Sequence, residues 1–179
     1  MQNHLTKDGR KFNIRRPNEN DADNIISYSR MLFASTDQVL TTPEEYDIST
    51  ENEKVWINNI NHSLSSLLLV ADVDNLIVGM LFFIANAKRK NSHTGEFGVS
   101  VHPEFHGKGI GRQLINTLLN WAKANPAIEK VYLNVFSTNQ PAIDLYRDLG
   151  FVEEGRHIKA VRQLNGEYVD VLQMYVETK

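Results

Sequence analysis

The sequence predicts a single α/β domain built on one mixed sheet. Three observations carry this expectation. Apolar–polar alternation marks strands toward both ends of the chain, and Asn165-Gly166 separates the last two, a strong hairpin signal. Strand, amphipathic helix and strand follow one another across residues 94–135, an order that implies a parallel crossover. The 179 residues, 41% of them hydrophobic, suffice for one sizeable core, and no linker, repeat or low-complexity segment divides them. The domain is expected to span residues 1–179, with its core over about 10–177.

Residues 1–9 read as a frayed start, and 11–16 alternate as a first strand. A polar stretch with Pro17 then opens a helix whose apolar face is Ala22, Ile25, Ile26, Ser29, Leu32 and Phe33. Residues 41–47 show no period. Thr50-Glu51-Asn52-Glu53 has the form of a capping box and starts a second helix, with Val55, Trp56, Ile57 and Ile60 inward. Two apolar runs, 66–71 and 76–85, flank the turn Asp72-Val73-Asp74-Asn75 as a hairpin. Gly79 inside the second run signals a bulge or a close approach. Lys88-Arg89-Lys90 reads as a solvated loop tip. A strand over 94–102 precedes a helix with Leu114, Ile115, Leu118, Leu119 and Ala122 buried, ended by Pro126. Val131, Leu133 and Val135 alternate as a strand. Asn139 caps a further helix with Pro141 in its first turn and Gly150 closing it. Residues 151–164 and 167–177 complete a set of seven strands and four helices.

Composition narrows the function classes. A net charge of −3 gives no bulk attraction to nucleic acid. With no cysteine there is no disulfide, no thiolate nucleophile and no cysteine–zinc site. His93, His102 and His106 lie close in sequence but match no metal-ligand spacing, so no metal is expected. No run approaches the roughly 20 apolar residues a membrane helix needs, and no apolar signal segment opens the chain, so the expected location is the cytoplasm.

Residues 99–114, Val-Ser-Val-His-Pro-Glu-Phe-His-Gly-Lys-Gly-Ile-Gly-Arg-Gln-Leu, carry the chemistry. Val99 and Val101 end a strand, and Pro103 stops its ladder. Gly107, Gly109 and Gly111 then precede a helix whose first N–H groups lack internal partners. Those groups and the positive end of the helix dipole suit an anion. Lys108 and Arg112 add charge. The reading is a pyrophosphate cradle made by the backbone N–H groups of Gly107, Lys108, Gly109, Ile110, Gly111 and Arg112. A P-loop would need Lys-Ser/Thr after the last glycine, and a dinucleotide fingerprint would need Gly-x-Gly-x-x-Gly; neither is present.

The segment His106-Gly107-Lys108-Gly109-Ile110-Gly111 resembles the Arg/Gln-x-x-Gly-x-Gly/Ala signature of the GNAT acetyltransferase superfamily, with His106 as the one departure. Residues 134–151 are similar to a second stretch of that family, Asn-Val-x-x-x-Asn-x-x-Ala-Ile-x-Leu-Tyr-x-x-x-Gly-Phe, and match every fixed position from Asn134 to Phe151. The resemblance implies a mostly antiparallel sheet of six to seven strands, flanked by about four helices. Its central parallel pair would splay into a V that takes the pantetheine arm of acetyl-coenzyme A. Val99 and Val101 would offer backbone groups to that arm, Asn134 and Asn139 would stand beside it, and Tyr146 would point at the thioester sulfur.

The resemblance further implies transfer of an acetyl group from acetyl-coenzyme A to a primary amine. The acceptor is a small molecule such as a polyamine or amino acid, or a protein N-terminus. Without a cysteine the simplest route is direct attack in a ternary complex. Tyr146 is the candidate general acid, since a phenol is protonated at neutral pH. Glu96, on the strand before the cradle, is the candidate base. Glu44, Glu45, Asp47, Glu51 and Glu53 form an acidic rim suited to a cationic amine. The final hairpin looks like the branch of ribosomal-protein N-terminal and spermidine acetyltransferases, and a homodimer is the family-level expectation. The competing class is a non-catalytic coenzyme A-binding sensor or interaction module.

Overall fold

The computed structural model describes residues 2–179, with side chains from residue 4 onward. Eight strands form one sheet: β1 (Gln2–Leu5), β2 (Lys11–Arg15), β3 (Leu67–Val73), β4 (Leu76–Ala85), β5 (Thr94–Val101), β6 (Lys130–Phe136), β7 (Val152–Arg162) and β8 (Tyr168–Glu177). Four α-helices accompany them: α1 (Ala22–Ser35), α2 (Thr50–His62), α3 (Ile110–Ala124) and α4 (Gln140–Asp148). The strand order is β1-β2-β3-β4-β5-β6-β8-β7, antiparallel throughout except for β5 and β6.

The expected six to seven strands become eight, because the segment read as a frayed start supplies β1. It pairs with β2 from Gln2↔Ile14 to Leu5↔Lys11. A self-bonded turn makes that pairing local: Thr6 N–H donates to Arg10 O, and Gly9, at φ 86°, donates to Thr6 O. Too few residues alternate on this edge strand for periodicity to reveal it. The cap of α2 also moves. Ser49, not Thr50, accepts from the Asn52 N–H. Thr50 instead donates to Asp23, and Glu53 turns inward to burial.

Strand alternation sorts the core into two layers. Leu67, Leu69, Leu81, Phe83, Phe97, Leu133 and Val135 face α3 and α4. Leu68, Val70, Met80 and Phe82 face α1 and α2. Gly79 serves both roles assigned to glycine in a strand. The register steps from Ala71↔Gly79 to Asp72↔Ile77, leaving Val78 as a bulge. A Cβ on Gly79 would stand 3.2 Å from Ile110 and Leu114, so α3 sits directly on the sheet there.

One ionic network ties α1 to the sheet. Arg15 on β2 reaches Asp21 at 2.8 Å and Asp72 on β3 at 2.9 Å, and both carboxylates are largely buried. The Arg15 hydrogen bonds hold the Asp21 carboxyl below its ordinary value, against the opposing effect of burial. Replacing Arg15 by Met should cost about 2–3 kcal/mol, because two buried carboxylates lose their partner. A carboxyl depressed in the fold adds stability above its unfolded pKa of about 4 and loses it as pH falls further. Wild-type unfolding free energy should therefore drop below about pH 4, and chemical denaturation across pH 2–7 measures both effects.

Candidate functional site

The site begins where β5 and β6 part. They pair only at Thr94↔Lys130, Gly95↔Val131 and Glu96↔Tyr132. Beyond Glu96, β5 keeps its bonds to β4 as far as Val101, and β6 keeps its bonds to β8 as far as Phe136. Each strand is thus held on its outer side while the inner edges diverge. His102 N–H donates to Val78 O on β4. Alternation then turns the backbone groups of Val99 and Val101 the other way, toward the opening. The Val101 carbonyl is already engaged at 2.7 Å by the His106 ring. His106 therefore anchors the loop to its strand.

Glu96 and Tyr146 flank this opening from opposite faces of the sheet. Phe97 faces α3 and α4. Its ring meets Tyr146 edge-on at 6.0 Å, and Phe151 closes on Tyr146 at 5.9 Å. Tyr146 is only 7% exposed. Burial pushes its phenol up to about 12, so the hydroxyl stays protonated through neutral and mildly alkaline pH. Glu96, one residue before Phe97, points to the face of α1 and α2. There it accepts 2.8 Å from Asn134 Nδ2 on β6, so two residues singled out in the sequence bridge the root of the V. Asn139 caps α4 through its side-chain oxygen, accepting from Ala142 N–H at 3.3 Å and leaving its amide N–H₂ as a donor.

The glycine loop behaves as its sequence requires. Gly107 and Gly109 lie at φ 71° and 93°, and Gly109 is the N-cap of α3. The first backbone bond across the cap is Gln113 N–H to Gly109 O at 3.1 Å. The six N–H groups from Gly107 through Arg112 donate to no backbone oxygen among the described residues. A run of N–H groups at a helix N-terminus fits a pyrophosphate. The two cations are less free than the sequence suggests: Lys108 pairs with Asp8 at 2.9 Å and Arg112 with Asp148 at 2.8 Å. As a candidate cradle the loop offers chiefly backbone N–H groups and the helix dipole.

On the opposite face, the Phe82 ring lies over Gly98, where a Cβ would come within 2.6 Å of it. Tyr28 donates to Ser100 at 2.9 Å and joins α1 to β5. The segment between α1 and α2 reaches across the sheet. Thr138 donates to Gln38 at 3.1 Å, and Gln163 donates to the Asp37 carbonyl at 3.2 Å. The acidic rim divides. Glu45 caps Thr42 N–H at 2.9 Å and Glu51 pairs with Lys54 at 2.9 Å. Glu53 is 6% exposed, and burial lifts its carboxyl above the ordinary value. Tyr28, Phe82 and Gly98 escaped the sequence reading. The one local signal for them was a second glycine, three residues after Gly95, in a strand otherwise rich in side chains.

Among the described residues no group of three or more His, Asp or Glu could hold a metal ion, and no helix is long and apolar enough to cross a membrane.

Replacing Gly109 by Val forces a β-branched residue into left-handed backbone at a cost of about 1–2 kcal/mol. Coenzyme A binding should weaken by about tenfold. Gly111 is different: a Cβ there meets Val101 and Leu145 at ordinary distances of 3.6 and 3.7 Å. Gly111→Ala should leave the melting temperature unchanged, so any loss in titrated coenzyme A affinity reports the closeness of the ligand.

The profile of the Acetyltransferase (GNAT) family matches residues 33–151. The spermidine N(1)-acetyltransferase of Vibrio cholerae is 33% identical over 133 residues, covering 74% of this chain and 75% of that protein. The N-alpha-acetyltransferase of Saccharolobus solfataricus is 30% identical over 172 residues, 90% of this chain and 89% of that protein. A GNAT-family acetyltransferase structure from Streptococcus pneumoniae superposes with a TM-score of 0.90 at 23% identity, covering 93% of this chain and 99% of the other. With the splayed parallel pair, the glycine loop and the residues around Tyr146 in place, the chain belongs to the GNAT acetyltransferase family.

Proposed function

We propose that this protein moves an acetyl group from acetyl-coenzyme A to a primary amine by direct attack. The observation that carries the reading is the opening between β5 and β6, with a protonated phenol on one face and a carboxylate on the other. The N–H groups of residues 107–112 bind the pyrophosphate. Val99 and Val101 direct the pantetheine arm into the V, and Asn139 offers its amide N–H₂ beside it. Positioning of the two substrates supplies much of the rate.

Glu96, directly or through water, takes the proton of the incoming ammonium. Asn134 orients the Glu96 carboxylate. As the amine nitrogen bonds to the thioester carbon, the carbon–sulfur bond breaks, the Tyr146 hydroxyl gives its proton to the departing sulfur, and the second proton shed by the nitrogen as it becomes an amide returns to the phenol through solvent. The pKa near 12 keeps that donor loaded. The same desolvated setting raises the value of a hydrogen bond to developing negative charge.

The acceptor is a primary amine, of a polyamine, an amino acid or a protein N-terminus, and the relatives' names include a spermidine N(1)-acetyltransferase, an L-amino acid N-acetyltransferase and an N-alpha-acetyltransferase. The absence of cysteine fits a cytoplasmic enzyme. Exposed Val152, Ile158, Leu164 and Tyr168 on the final hairpin suit a contact between two copies, and a homodimer is the assembly we infer.

Because the protein has no cysteine, a thiol reagent reports only released coenzyme A. Turnover on a panel of polyamines, amino acids and free-N-terminal peptides tests the function. Silence across the panel with tight coenzyme A binding would favour a sensor. Tyr146→Phe should lower kcat at least about tenfold, with cofactor affinity and melting temperature nearly unchanged, since the ring packing survives. Glu96→Gln should remove or displace the acidic limb of the pH–rate profile. An unmoved profile would assign the proton to another group.

A further inference from the structure

The turn between β1 and β2 is docked on the glycine loop at two points of one residue. Lys7 N–H donates to the Lys108 carbonyl at 3.1 Å, and the Lys108 ammonium meets the Asp8 carboxylate at 2.9 Å. The ammonium also lies over the Phe105 ring, 5.1 Å from its centre, with the Arg10 guanidinium 6.0 Å from the same ring. The turn that carries Asp8 is itself rigid. Thr6 is 4% exposed, its hydroxyl donates to Asp8, and Arg10 N–H donates back to that hydroxyl at 2.9 Å.

Lys108 stands between Gly107 and Gly109, both in left-handed backbone. A loop of this kind has little intrinsic preference for one conformation. Peptide planarity adds a consequence. The Lys108–Gly109 bond is trans, so its carbonyl and the Gly109 N–H point in opposite directions. A carbonyl fixed on Lys7 therefore turns the Gly109 N–H away from the N-terminal turn, and that N–H donates to no backbone oxygen among the described residues.

We propose that the β1–β2 turn is a positioning element for the phosphate loop, in which Asp8 and Lys7 hold Lys108 so that the Gly109 N–H is aimed at the anion before the cofactor arrives. The proposal rests on the cofactor reading of the loop. Without the tether the loop must be ordered at the moment of binding, and ordering one side chain with its backbone costs the equivalent of about three- to tenfold in affinity. The Thr6 hydroxyl and the Lys108 ammonium hold the Asp8 carboxyl down at about 2, so Asp8 is a carboxylate through neutral and mildly acidic pH.

The test titrates coenzyme A itself against the full-length protein and measures steady-state kinetics with the best amine of the panel. Asp8→Ala should raise the Kd for coenzyme A and the KM for acetyl-coenzyme A by about three- to tenfold. Both kcat at saturation and the amine KM should hold, and Asp8→Glu should restore most of the affinity. In a Lys108→Ala background, Asp8→Ala should have no further effect. If Asp8→Ala lowers the melting temperature, Asp8→Asn, which can still accept from Thr6, takes its place. Unchanged affinity would overturn the proposal. So would tighter binding, which would mean that Asp8 only withholds the Lys108 charge from the phosphates. A wild-type protein that does not bind coenzyme A would instead refute the cradle.

Discussion

The site depends on hydrogen bonds that are not made between β5 and β6 beyond Glu96. Strand edges left open within a sheet are costly unless something else binds their N–H and C=O groups. Here the outer ladders to β4 and β8 hold the two strands apart. The open edge is therefore a standing feature of the fold and not a local defect. It offers backbone partners to an extended ligand in the manner of an added strand.

The helices that flank the opening are placed by the same divergence. α3 follows β5 through the glycine loop and presents its N-terminus at the mouth of the V. Gly79 lets that helix lie directly on the sheet. α4 starts just beyond β6 and brings Tyr146 against Phe97 and Phe151. The acid candidate is buried by aromatic packing, while the base candidate across the sheet is fastened by an amide. Burial alone raises the Tyr146 phenol, so the acid candidate keeps its proton through neutral pH.

Charge around the loop is arranged with restraint. Lys108 and Arg112 each face a carboxylate of the chain itself, so what the loop has to offer an anion is oriented N–H dipoles more than free cations. Such dipoles are directional, and they work only if the loop is held. His106 on Val101, Lys7 on Lys108 and Gln113 on Gly109 hold it from three sides.

Local chemistry written in the sequence determined a great deal. Glycine spacing, the caps at Asn139 and Gly150, the Asn165-Gly166 turn and the alternation of β4 to β6 depend on neighbours within a few residues, and they read correctly. The two motifs marked Tyr146, Asn134 and the loop for the same reason: their spacing is linear. Only the tertiary structure decided where the parallel pairing stops, which side chains share a face across strands, and which carboxylates answer Arg15, Lys108 and Arg112. It also turned residues 2–5 into an edge strand and sent Glu53 inward. Those outcomes depend on partners brought close by folding from distant parts of the chain, and no periodicity of a single segment records them.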